Sequence, residues 1–327
     1  MAALELVAPA GSPAMLRAAI EAGADAVYCG LRDETNARNF PGLNFSSREL
    51  RTATDWAHAH GAKVFAAINT YAHAGAVDAW RSAVDCTLEA GVDALILADI
   101  GVLAYARAAH PQARLHLSVQ ASAGTPEAIA FYVAEFGVKR VVLPRVLTLA
   151  EITALRSEVD VEIEVFAFGG MCVMAEGRCA LSSYVTGRSP NLCGVCSPAE
   201  AVSYIEHDGV LTARLGAFAL DRFAPGEPAG YPTLCKARLQ CGEESIHLFE
   251  EPVSLNAIDL LADFQAIGVA AIKLEGRQRG TNYVATIVRA FREALDGGGP
   301  SAAQRQALSR LSEGGRQTDG AYRKQWR

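Results

Sequence analysis

Cys172 and Cys179 stand in G-M-C-V-M-A-E-G-R-C, Cys193 and Cys196 follow in N-L-C-G-V-C-S-P, and Cys235 lies in Y-P-T-L-C-K. Four thiolates can bind zinc or hold an iron–sulfur cluster. Structural zinc usually takes two close C-x2-C pairs, and here only Cys193 and Cys196 are so spaced. The others are irregularly placed, which suits a site assembled by the fold rather than by a local knuckle. Spacing and position put a cluster ahead of zinc, with unliganded thiols as the third reading. The sequence has eight cysteines in 327 residues; a disulfide framework belongs to small secreted chains, so metal binding or catalysis is the better reading here.

Ordinary hydrolytic machinery is missing. There is no H-E-x-x-H, no G-x-S-x-G and no G-x-x-x-x-G-K. The seven histidines are scattered, and His58 and His60, two apart on an expected helix, do not share a face and make no metal site. No feature recommends a Cys–His protease.

The elements that must position the cysteines follow from periodicity. Leu4 to Pro9, Ala26 to Gly30, Val64 to Asn69, Ala94 to Asp99, Leu115 to Gln120, Val141 to Arg145, Ile163 to Gly169 and Ala270 to Glu275 read as strands that are apolar on both faces, as a parallel sheet requires. Ala-rich helical segments alternate with them: Pro13 to Ala22, Ser47 to His60, Ala76 to Ala90, Pro126 to Phe136 and Leu149 to Ser157. Ser12 before Pro13 and Thr125 before Pro126 are good helix openings. Repeated βα pairs predict an α/β protein of the (β/α)8, TIM-barrel-like kind, with a doubly wound open sheet as the runner-up. The rhythm fails between the seventh and eighth strands, which predicts a Cys-rich insertion over 170–269. Within it, Val202 to His207 and Leu211 to Leu215 about Asp208-Gly209 read as a β-hairpin. The expected organisation is a barrel domain over 1–296 that includes the insertion, followed by a flexible basic tail over 297–327.

In such a barrel, chemistry belongs at the carboxyl ends of the strands. Cys172 falls there, directly after the seventh strand. So do Asn69, Gln120 and Arg145, a polar set able to orient a carboxylate or a ring oxygen, and Lys273, Glu275 and Arg277, which share one parity along the last strand. An internal ion-pair network is an equal reading for the last three.

Lys and Arg number 30 against 36 Asp and Glu, a net charge of −6, and half of the residues are apolar. That is the composition of a soluble globular chain, and it argues against bulk phosphate-backbone binding. No nucleic-acid partner is expected. No transmembrane segment or leader is expected either, since no run of 18 apolar residues occurs and Met1 to Pro9 lacks the pattern of a signal peptide. The expected location is cytoplasmic.

The strings A-P-A-G at 8–11, D-A-V-Y-C-G-L at 25–31, N-A-R-N-F-P-G-L-N-F at 36–45, E-G-R-C-A-L-S-S-Y at 176–184 and K-L-E-G-R at 273–277 resemble the collagenase-like, formerly unassigned, peptidase family. Further strings, L-I-L-A-D at 95–99, S-V-Q-A-S at 118–122, R-V-V-L-P-R-V-L at 140–147, F-A-F-G-G-M-C at 166–172, A-G-Y-P-T-L-C-K at 229–236 and E-E-P-V-S-L-N at 250–256, are similar to the branch of that family that acts in ubiquinone biosynthesis. The resemblance implies a [4Fe–4S] cluster ligated by Cys172, Cys179, Cys196 and Cys235. It also implies oxygen-independent hydroxylation of the ubiquinone precursor ring in a heterodimer with a UbiV-like homologous subunit, with prephenate as the oxygen donor. The family places its third ligand after a glycine and one variable residue, as in Gly194-Val195-Cys196, which leaves Cys193 as an extra thiol. The alternatives are an RNA-hydroxylating relative, a non-catalytic cluster-bearing scaffold and, last, a peptidase. The RNA reading is expected to be the weaker one on the acidic balance and the short segment after the barrel.

Overall fold

The structure is a computed structural model that describes residues 4–227, 229–247 and 249–324, with the side chains of Asn191 and Cys193 outside that description. Seven short strands come first: β1 (Glu5–Pro9), β2 (Ala26–Cys29), β3 (Lys63–Ile68), β4 (Ala94–Leu97), β5 (Leu115–Leu117), β6 (Arg140–Val142) and β7 (Glu162–Gly170). The insertion adds β8 (Val202–His207), β9 (Val210–Leu215), β10 (Phe218–Phe223), β11 (Arg238–Cys241), β12 (Glu244–His247) and β13 (Ser254–Asn256). The barrel then resumes with β14 (Ala271–Leu274), and β15 (Gln317–Thr318) follows. β1 to β7 pair in order, and β14 pairs in parallel with both β1 and β7, so eight parallel strands close on themselves. The expected closed barrel is the observed one, and the open sheet is excluded.

Helices α1 (Pro13–Glu21), α2 (Ser47–Ala59), α3 (Val77–Glu89), α4 (Ile100–Ala109), α5 (Pro126–Phe136) and α6 (Leu149–Glu158) occupy the crossovers. Their starts are written in side chains. Ser12 Oγ accepts from the Met15 N–H at 3.2 Å, and Ser46 with Glu49 and Thr148 with Glu151 form capping boxes. α4 was not foreseen; Asp99 caps it by accepting from the Val102 N–H at 3.0 Å. Outward strand residues such as Leu6, Val27, Val64, Leu95, Leu117 and Ile163 are buried under the helices, while Val7, Ala26, Phe65, Ala94, Ile96 and Ala271 fill the barrel separately.

The barrel also holds a charged layer. Glu164, fully buried, accepts from Lys273 Nζ at 2.7 Å and from Arg140 Nη1 at 3.1 Å, and Arg140 reaches Glu5 and Glu162 at 2.6 and 2.7 Å. The Lys273 ammonium lies over the Tyr28 ring, 3.8 Å from its centroid. His116 sits in this layer edge-on to Phe65, with Nε2 accepting from Arg114 Nε at 3.0 Å, which places the proton of the neutral ring on Nδ1.

Burial first, and then Arg140, Arg114, Lys273 and Lys63, hold the His116 imidazole well below its ordinary 6.5. Unfolded chains therefore bind a proton that the folded chain refuses, so stability falls as pH drops below about 6.5. Denaturant midpoints are expected to decline from pH 7 to pH 5.5, and His116→Gln is expected to flatten that decline. An unchanged slope in the variant would remove His116 from the account.

The hairpin expected in the insertion is β8 and β9, with Asp208 and Gly209 both at positive φ, 50° and 75°, the geometry of a type I′ turn. β10 extends it to three strands, and β11 with β12 forms a second hairpin. Helix α7 (Leu181–Thr186) and the single turn α8 (Pro190–Cys193) precede them.

The C-terminal segment corrects the expectation of a flexible tail. After α9 (Leu261–Ile267) and α10 (Thr281–Asp296), residues Ala302–Leu311 form α11, which opens on a capping box of Ser301 and Gln304 and buries Leu308. β15 pairs with β13, and the buried Tyr322 donates to the Phe166 carbonyl at 2.6 Å. The basic excess that suggested solvation is spent on acids elsewhere in the chain: Arg305 meets Asp259 at 2.7 Å, and Arg316 pairs with Glu251. Among the described residues no helix is long and apolar enough to cross a membrane.

Candidate functional site

β7 is nine residues long because its far end leaves the barrel and pairs antiparallel with β13, Ser254 opposite Gly170. Cys172 emerges from that extension at the carboxyl face. The chain then turns over the barrel mouth, and Glu176, between Cys172 and Cys179, is fixed to the barrel by Arg145. The Arg145 guanidinium is buried, pairs with Glu176, meets Glu275 Oε1 at 2.6 Å and stacks on Phe166 at 3.7 Å. Arg145 thus ties three elements together: the loop after β6, the loop carrying Cys172 and Cys179, and the end of β14.

Gly177 follows with φ +73°, and a side chain there would run into the Gln120 carbonyl, so glycine is what lets the loop lie on the turn after β5. Ser122 Oγ in that turn donates to the Glu176 carbonyl, and the Gln120 carbonyl accepts from Tyr71 Oη at 2.8 Å.

Cys196 is fixed from both sides. Arg38, at a strained φ of 112°, donates from Nη1 to the Gly194 carbonyl at 2.5 Å, and Tyr231 Oη donates to the Ser197 carbonyl at 2.9 Å. Cys235 lies in a short turn over Leu234–Lys236.

Cys235 and Cys172 respond to neighbouring thiols. Burial, then the charges of Cys196 and Cys172, push the Cys235 thiol up to about 12, with Cys179 adding in the same direction and Lys236 opposing. Cys172 is also raised, by burial first and further by Glu176 and Cys196, against a Met174 N–H and Arg145. Among the described residues no three His, Cys, Asp or Glu donors close on a common point. Raised as they are, the Cys172 and Cys235 thiols would ionise readily only with a cation beside them.

The polar residues expected at the mouth divide into separate duties. Arg145 is engaged with both Glu176 and Glu275. Lys273 lies deeper, in the ion layer with Glu164. Asn69 Oδ1 accepts from the Ala37 N–H at 3.1 Å. Arg277 is buried with neutral partners: Nη2 donates to Asn36 Oδ1 and to Asn44 Oδ1, both at 2.6 Å, and Nε has no partner among the described residues. Burial brings its guanidinium down to about 10, with Tyr28 and Cys29 opposing.

Sequence reasoning missed Glu176, although its place inside the cysteine string was a usable signal. It missed Arg38, Asn36 and Asn44 as well; their roles depend on how the loop after β2 folds over the mouth. The extra Cys193 lies at a position whose side chain is outside the description.

A closed parallel barrel whose seventh strand feeds a cysteine-bearing insertion over the mouth defines the class of protein. The chain matches Peptidase family U32 over residues 11–320 and belongs to that family. It is 31% identical over 292 residues to "tRNA hydroxylation protein P1" of Bacillus subtilis (strain 168), covering 89% of this chain and 63% of that protein. It is 32% identical over 311 residues to "tRNA hydroxylation protein P" of Escherichia coli (strain K12), covering 89% and 68%. With the "23S rRNA 5-hydroxycytidine C2501 synthase" of the same strain it shares 32% identity over 299 residues, 90% of this chain and 39% of that one. The chain thus spans about two thirds or less of the length of these relatives. A solved structure, the U32 peptidase Mk0906, superimposes with a TM-score of 0.50 at 17% identity over 86% of this chain and 96% of that one, a likeness of fold alone. The expectation of no nucleic-acid partner gains no support from relatives named for RNA hydroxylation.

Proposed function

We propose that this chain is the iron–sulfur component of an oxygen-independent ring hydroxylase, with a [4Fe–4S] cluster held by Cys172, Cys179, Cys196 and Cys235. The observation that carries the reading is that Cys172 and Cys235, placed around the barrel's carboxyl face, are both raised by burial and further by the neighbouring Cys196, with Cys172 and Cys179 adding at Cys235. Such a donor set suits a cationic iron core, and the bound cluster would supply single-electron chemistry at the mouth. The chain's own residues do the rest. Arg145 holds the ligand loop through Glu176, and its guanidinium lies over the Phe166 ring. Arg145 and Lys273, both candidates for gripping a dicarboxylate oxygen donor, are matched by internal carboxylates. Arg277, whose described partners are all neutral, is the cation left for the carboxylate of a donor such as prephenate.

The relatives' names favour an RNA base as the ring that is hydroxylated. A second reading, a UbiU-like protein acting on the ubiquinone precursor ring with a UbiV-like homologous partner, is favoured by the long strings at 95–99, 140–147, 166–172 and 229–236 and by the acidic balance. One strain decides between them. A deletion mutant grown without oxygen is assayed for ubiquinone and for hydroxylated nucleosides in tRNA and rRNA digests. Loss of a nucleoside with quinone intact supports RNA, and loss of ubiquinone alone supports the quinone ring. Loss of neither overturns the hydroxylase reading. Anaerobic purification with iron, sulfide and zinc analysis tests the cluster separately; stoichiometric zinc without sulfide would sink it.

A further inference from the structure

Glu313 lies far from every cysteine in the sequence, in the segment after α11, yet its carboxylate joins two elements at the site. Oε2 accepts from Lys236 Nζ at 2.6 Å, and Oε1 accepts from Arg279 Nη2 at 2.8 Å. Its backbone N–H donates to Ser254 Oγ at 2.9 Å, on the strand that pairs with the end of β7. Oε1 also lies 3.3 Å from where a Gly170 side chain would begin, two residues before Cys172. One carboxylate therefore touches the root of Cys172, the exit of the last barrel strand and the residue next to Cys235.

Around Cys235 the turn over Leu234–Lys236 is held to the insertion, by Leu234 and Ala237 in a small apolar cluster with Leu215 and Leu220 and by His247 Nδ1 at 3.1 Å from the Lys236 carbonyl. Its links toward the barrel side are fewer: the Glu250 N–H on the Cys235 carbonyl at 3.2 Å, Lys236 Nζ on the Val253 carbonyl at 3.4 Å, and the Lys236–Glu313 pair. The Lys236 ammonium is 11% exposed, so its contact with Glu313 is much less screened than a surface pair. Glu250, nearby, is not an equivalent anchor: burial and then the Glu313 charge raise its carboxyl, against Lys236, and its Oε2 has no partner among the described residues.

We propose that Glu313 is the positioning residue for Cys235, and that the C-terminal segment is a strap holding the fourth sulfur against the other three. α11, β15 and Tyr322 fasten this strap to the barrel. The proposal rests on Cys235 sharing a site with Cys172, Cys179 and Cys196.

The test uses the full chain in two states. In the metal-free protein, Glu313→Gln is expected to speed alkylation of Cys235 by iodoacetamide roughly fivefold, read by peptide mass spectrometry, while Cys172 and Cys179 stay at wild-type rates. Asp259→Asn, which removes the partner of Arg305 on α11 without touching Glu313, is the control and is expected to change none of them. After anaerobic reconstitution, Glu313→Gln is expected to bind about twofold less iron and sulfide per chain than wild type, at unchanged protein fold by circular dichroism. Equal Cys235 alkylation in Glu313→Gln and wild type, or acceleration of all cysteines in every variant including the control, would overturn the strap. If wild type carries no sulfide while the Cys235-specific acceleration persists, the strap stands and the cluster reading falls.

Discussion

Cys196→Ala is expected to cut the iron bound after anaerobic purification by about tenfold or more, while Cys193→Ala keeps the wild-type content. A cubane cluster needs four thiolates, and three seldom hold it firmly. Cys196 answers that need on two grounds. Its charge registers at both Cys172 and Cys235, so its sulfur lies within electrostatic reach of both. Its backbone is held on either side, through Gly194 by Arg38 and through Ser197 by Tyr231, so the thiol is presented from a fixed position. The spacing Gly194-Val195-Cys196 before Ser197-Pro198 agrees with the family pattern. Iron and sulfide are measured against protein, with circular dichroism to show that the variant folds. Equal loss in the two variants, or loss only with Cys193→Ala, would reassign the third ligand.

The barrel was legible because its strands carry apolar residues on both faces and its helices open on side-chain caps, signals that survive without tertiary context. The insertion was legible as an interruption of that rhythm. What escaped was whatever depends on a partner far away in sequence. Residues after Asp296 average to a basic, polar composition, and the few apolar contacts that dock them, Leu308 and Tyr322, are too sparse to outweigh it. Arg145 read as a substrate fork because nothing local announces that Glu176, thirty-one residues on, neutralises it inside the fold. Lys273 had two readings on the page, and only the closure of β14 against β7 puts Glu164 within reach of its ammonium. Arg38 could not be picked out at all, since its role follows from a left-handed backbone that its residue type does not suggest.

Glu164→Ala is expected to cost about 3–5 kcal/mol of stability, the largest effect of any single change inside the barrel. Burial by itself would push this carboxyl up, but Lys273 and Arg140 together hold it below its ordinary range, so it is ionised in the folded chain. Removing it leaves Arg140 with Glu5 and Glu162, whereas among the described residues Lys273 keeps only the face of Tyr28. Burial already draws the Lys273 ammonium down, with Glu164 the chief group opposing, so the orphaned lysine must either lose its proton or draw water into the barrel. The cost therefore belongs to the unpaired partner rather than to the pair. It follows that the double variant Glu164→Leu with Lys273→Met, which removes both charges and fills the space with apolar atoms, is expected to recover most of the loss. Urea midpoints at pH 7 for wild type, each single variant and the double measure the coupling. A loss under about 1 kcal/mol in Glu164→Ala, or a double variant no more stable than the single, would show that water reaches this layer and that the pair is not the buried one the barrel geometry describes.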